Sequence, residues 1–133
     1  MEELREYLKN PWILLVVGYL FTIAIETVVL LIGLSPEHSI KRRLAAGAWL
    51  TACTYPIVIL VLPQLFDPAE ERPLYLAVAE TFAPAAECLL FWAAFKPLKN
   101  PWRDLGVITL ANLASFGLGE LLWHLLGWNT LVP

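Results

Sequence analysis

Apolar residues run almost without interruption through four long stretches of this chain, at 12–34, 44–63, 74–95 and 106–127. Each is long enough to cross the hydrocarbon core of a bilayer, which takes about 20 helical residues. Charged and turn-forming residues collect between them, in connections at 35–43, 64–73 and 96–105 of 9, 10 and 10 residues. Connections that short make successive helices antiparallel. The pattern predicts an all-α integral membrane protein, four antiparallel transmembrane helices in an up-down bundle that form one transmembrane domain over 1–133. The first apolar run is too long for the core of a signal peptide, and no small-residue cleavage site follows it, so it is expected to persist as a span. Residues 2–8, Glu-Glu-Leu-Arg-Glu-Tyr-Leu, suit either a short amphipathic interfacial helix or a solvated charged tail.

Composition sharpens this picture. The chain is 59% hydrophobic and only 16% charged, with a mean hydropathy of +0.65. A soluble domain is about half apolar and a quarter charged, so a soluble globular protein is excluded. A net charge of -3 and a pI of 5.3 leave no basic surplus for nucleic acid. The expected partners are the lipid bilayer itself and either further copies of this chain or a larger membrane complex. Cys53 and Cys88 sit inside apolar runs and read as small buried groups.

Lys41, Arg42 and Arg43 lie in one connection and Lys96, Lys99 and Arg103 in another on the same side, against Arg5, Lys9 and Arg72 on the opposite side. The positive-inside rule then puts both termini outside and the 35–43 and 96–105 loops in the cytoplasm. Trp12, Trp49, Trp92, Trp102, Trp123 and Trp128 fall near span ends, where indole rings favour the interface. The tetrapeptide Lys-Asn-Pro-Trp occurs at 9–12 and 99–102, each time before an apolar run. Asn as cap and Pro in the first turn make it a helix-start signal. Because the copies fall on opposite faces, they read as convergence and not duplication. Glu-Thr at 26–27 and again at 80–81 gives a second short echo, between the first and third spans.

Four of the twelve acidic residues fall inside the spans: Glu26, Glu80, Glu87 and Glu120. On these limits no Lys or Arg accompanies them there. An acidic group at a helix centre costs on the order of 2.5–3.5 kcal/mol on insertion, so these groups are expected to face the bundle interior or water. At about 1.5 Å per residue, Glu26 and Glu87 share one layer and Glu80 and Glu120 another, nearer the outer surface. Supporting polar residues are Thr51, Thr54 and Tyr55 in the second span and Asn112 and Ser115 in the fourth. Pro56 and Pro84 free backbone carbonyls beside them. The plainer alternative is that each carboxyl is neutral, hydrogen-bonded and structural.

His124 follows Glu120 by one helical turn, which makes the two a candidate pair for a shared hydrogen bond or metal ion. His38 lies in the basic loop and is expected to be solvated. No Glu-x-x-His or His-Glu-x-x-His pattern occurs, and no cofactor is expected.

Glu26, then Thr54-Tyr55-Pro56, then Glu80 and Glu87, then Asn112, Ser115 and Phe116 form a series that resembles small bacterial four-span membrane proteins. The resemblance implies the architecture and a bacterial cytoplasmic membrane; it implies no activity. From the residues themselves, the leading expectation is proton or cation binding or translocation through Glu26, Glu80, Glu87 and Glu120. Beside it stand a non-catalytic subunit of a larger membrane complex and an intramembrane enzyme using Glu120 and His124 on a lipid or apolar substrate.

Overall fold

The computed structural model describes residues 2–125, apart from the side chains of Arg5, Leu8, Pro11 and Trp123. Its elements are α1 (Glu2–Leu8), α2 (Pro11–Gly33), α3 (Ile40–Pro56), a π-helical turn (Ile57–Val61), α4 (Leu62–Leu65), α5 (Arg72–Phe95) and α6 (Pro101–Leu125). No strand occurs among the described residues. Four helical stretches are long and apolar enough to cross a membrane: Trp12–Gly33, Ile40–Leu65, Arg72–Phe95 and Pro101–Leu122. The second runs through α3, the π-turn and α4 without leaving the helical path. The four-span, all-α expectation is met; residues 126–127 of the fourth span and Trp128 lie outside the described residues.

All four long helices begin before their apolar runs do, and caps or first-turn prolines set their starts. Ser39 accepts the Arg42 amide at 3.2 Å and starts α3, so Lys41, Arg42 and Arg43 are helical. Asn10 accepts the Trp12 amide at 3.0 Å, with Pro11 opening α2. Pro101 opens α6 in the same way, and Asp104 falls in its first turn. Both Lys-Asn-Pro-Trp segments therefore are helix starts. Residues 2–8 form a helix, exposed wherever its side chains are described.

The helices form a ring. α2 lies between α3 and α6, and α5 lies between α6 and α3. The tight core, Leu30, Leu34, Leu50, Phe91 and Ile108 with Ala46 and Ala111, fills the half of the bundle nearer the 34–39 loop. Outward-facing positions are apolar as well: Ile32, Leu89 and Leu110 are more than half exposed. Lipid is the solvent on that side, so burial of apolar surface does not hold these helices together; close packing and hydrogen bonds do. Gly47 makes the closest approach possible, because a Cβ there would meet the Thr27 hydroxyl and lie 3.1 Å from the Thr27 Cα.

Candidate functional site

Glu26 and Glu87 point into the ring from α2 and α5, with 4% and 1% of their surface exposed. Each is met by polar side chains of the two flanking helices. Thr51 Oγ1 lies 2.8 Å from Glu26 Oε2, and Ser115 Oγ lies 2.9 Å from Glu26 Oε1. Thr54 Oγ1 lies 3.3 Å from Glu87 Oε1, and the Asn112 amide donates to Glu87 Oε2. Thr51, Thr54, Asn112 and Ser115 are all buried. Four of the residues singled out as supporting polar groups thus converge on two of the four carboxyls. Among the described residues, neither carboxyl forms a hydrogen bond or salt bridge to Lys, Arg or His.

The remaining candidates lie elsewhere. Tyr55 is half-buried; its hydroxyl packs on Gly18, leaving no room for a Cβ there, and its ring meets that of Tyr19 at 5.9 Å, tilted by 49°. Glu80 is half-buried on α5. Glu120 is held by a cation: Arg72 Nη2 lies 2.9 Å from both of its oxygens. This corrects the expectation that no basic residue accompanies the acids. α5 begins at Arg72, two residues before the apolar run, and a guanidinium at the helix start reaches back to α6. His124 is exposed in the last turn of α6.

A second polar cluster, at the opposite end of the bundle from Arg72 and Glu120, departs from expectation. His38 is 3% exposed, not solvated, and Asp104 is wholly buried. Asp104 accepts from the Ser35 amide at 2.8 Å and the Ser35 hydroxyl at 3.1 Å, and from His38 Nε2 at 2.8 Å. Glu37 Oε1 stands 3.2 Å from the same nitrogen. Phe91 meets the imidazole edge-on at 5.2 Å. These three side chains offer ligand atoms within 4.8 Å of one another, close enough for a metal ion. The fourth partner decides otherwise. Arg42 Nη1 lies 3.3 Å from His38 Nδ1, and a guanidinium only donates. Nδ1 is therefore the acceptor and Nε2 carries the proton, which it shares between Asp104 and Glu37. A metal-binding imidazole has the opposite arrangement, with its second nitrogen donating to an acceptor. The cluster fits a lock joining the 34–39 loop to α6. Its members are 66 residues apart in the chain, and no local motif marks them.

Comparisons with known proteins give the chain no family. No family model matches it, and no solved structure does. It is 27% identical over 99 residues to the rat (Rattus norvegicus) G-protein coupled receptor 182, covering 71% of this chain and 25% of the receptor. The mouse (Mus musculus) receptor of the same name is 28% identical over 97 residues, covering 69% and 25%. The chain thus spans about a quarter of the length of the curated relatives it matches.

Proposed function

We propose that this integral membrane protein takes up and releases a proton, or a small cation in its place, at the Glu26–Glu87 pair. The observation that carries the reading is the placement of two carboxyls in the buried middle of the ring with, among the described residues, neutral hydrogen-bond partners. Carboxyls at membrane depth that face a bundle interior are the groups proton relays and cation pathways use.

Proton supply supports the same reading. Thr51, Thr54 and Ser115 each have one hydroxyl proton, yet each also contacts a backbone carbonyl: Gly47 at 2.9 Å, Leu50 at 3.2 Å and Asn112 at 3.0 Å. A hydroxyl cannot donate to carbonyl and carboxylate at once. A proton on the carboxyl reverses the second contact, so that the carboxyl donates and the hydroxyl proton serves the carbonyl. The cluster therefore has a hydrogen-bonding place for an added proton.

In this reading Glu80 is an intermediate polar station on α5, two turns from Glu87. The membrane is a bacterial cytoplasmic one, with the 34–39 and 96–100 loops inside, as the distribution of Lys and Arg supports. The test is infrared difference spectroscopy of the protein in liposomes during pH titration. Reversible carboxyl bands between about pH 5 and 9, lost one at a time in Glu26→Gln and Glu87→Gln, are the expected result. Carboxyls silent over that range would sink the proposal.

A further inference from the structure

A shift of 61 positions lays α2 and α3 onto α5 and α6. α2 begins at Pro11 and α5 at Arg72; α3 begins at Ile40 and α6 at Pro101. Identical residues coincide at Phe21 and Phe82, Glu26 and Glu87, Pro36 and Pro97, and Arg42 and Arg103. Burial coincides too: Leu30 falls on Phe91 and Leu50 on Ala111, all four in the tight core.

The hydrogen bonds obey the same operation. Within the first hairpin Thr51 meets Glu26; the shift turns this into Asn112 meeting Glu87 within the second, and both contacts span 25 residues. Between hairpins, Ser115 of the second meets Glu26 of the first, and Thr54 of the first meets Glu87 of the second. Thr54 and Ser115 are themselves counterparts under the shift. The ring order is likewise unchanged when the hairpins are exchanged, since α2 lies between α3 and α6 as α5 lies between α6 and α3. Both hairpins run the same way through the bundle, so the operation is a two-fold rotation about the bundle axis. Glu80 and Glu120 stand outside it, because their counterparts are Tyr19 and Ile59.

We propose that the chain is a fused pair of equivalent two-span hairpins whose contact is self-complementary, each hairpin being the partner for which the other's inner face is shaped. Ser115 is a positioning residue for Glu26, and Thr54 is one for Glu87, each acting across the contact. A two-fold contact uses the same patch on both partners; here the patch is one glutamate, one in-hairpin donor and one donor given to the other side. The inference concerns assembly and stands whether or not the carboxyls exchange protons.

The test uses the full-length protein in liposomes. The infrared bands of Glu26 and Glu87 are first assigned with the Glu→Gln variants, in whichever protonation state they occur. Thr54→Ala is expected to shift the Glu87 band and leave that of Glu26 in place, while Ser115→Ala does the reverse. A shift confined to the carboxyl of the mutated hairpin, or no shift at all, overturns the proposal. Thr54→Ser and Ser115→Thr keep a hydroxyl and are expected to shift the same carboxyl bands by less than the alanine variants do; where an alanine variant does not fold, these smaller shifts must still appear only across the contact. Exchange of counterparts gives an independent reading. Thr51→Asn combined with Asn112→Thr is expected to lower the melting temperature less than either substitution alone, whereas losses that add overturn the equivalence.

Discussion

Replacing Asp104 by Asn changes one atom and sets two donors against each other. Asp104 Oδ2 accepts from His38 Nε2, and Arg42 fixes the imidazole proton on that nitrogen. The new amide nitrogen would face this N–H and the Ser35 hydroxyl. The hydroxyl turns and accepts; the imidazole cannot, and Nε2 keeps only Glu37 at 3.2 Å. A charge-assisted hydrogen bond lost costs about 1.5–3 kcal/mol. The expected loss for Asp104→Asn is therefore about 1.5–3 kcal/mol, with Nε2 left on its longer contact to Glu37.

Arg42→Ala tests the tautomer of His38 more sharply. Without the guanidinium, Nδ1 is free to take the proton, and Nε2 then accepts from the new amide. The double variant should lose less than the sum of the singles by about 1 kcal/mol or more, within the range for residues in one network. The cation–π contact of Arg42 with Phe95, at 4.8 Å, is lost with or without the second substitution and so cancels in the cycle. Denaturant unfolding in detergent micelles, followed by circular dichroism, measures all four proteins. Losses that add within about 0.5 kcal/mol would refute the assignment of the proton to Nε2.

Two glycines should respond with opposite signs. Gly47→Ala drives a methyl group into Thr27, whose Cα lies 3.1 Å away, and should cost about 1–3 kcal/mol in the same unfolding assay. Gly117→Ala meets nothing within 4 Å among the described residues and should be neutral or stabilise by up to about 1 kcal/mol. Glu120→Gln should matter little despite the two short contacts with Arg72. The side chains are 43% and 30% exposed, so the expected loss is below about 1 kcal/mol and shrinks with added salt.

The spans were legible because lipid demands long unbroken apolar runs, and their number and order follow directly. Helix starts were less so: hydropathy finds the apolar part of a helix, whereas Ser39 and Asn10 set starts by hydrogen-bonding amides. The convergence of Thr51, Thr54, Asn112 and Ser115 on carboxyls follows from depth and helical spacing, but which carboxyls they reach depends on helix rotation. The internal repeat was present in the sequence, though not in the short echoes that attract attention. Lys-Asn-Pro-Trp and Glu-Thr recur at unrelated offsets, while Glu26 and Glu87 share a frame in which Thr matches Asn and Thr matches Ser. Equivalence there lies in hydrogen-bonding type and not in residue identity, so letter matching misses it. The His38–Asp104 and Arg72–Glu120 contacts join residues 66 and 48 positions apart and belong to tertiary packing alone.

Arg43 donates to the carbonyls of Leu31, Ser35 and His38 at 2.6, 3.0 and 3.0 Å, and Arg103 donates to that of Gly33 at 2.9 Å. A helix that ends at the edge of hydrocarbon leaves carbonyls with no helical donor, and here arginine forks fill that need. The same two side chains belong to the excess of Lys and Arg at this end of the bundle. Lys in their place would keep the charge but not the planar array of donors, and the end of α2 would be left unfastened.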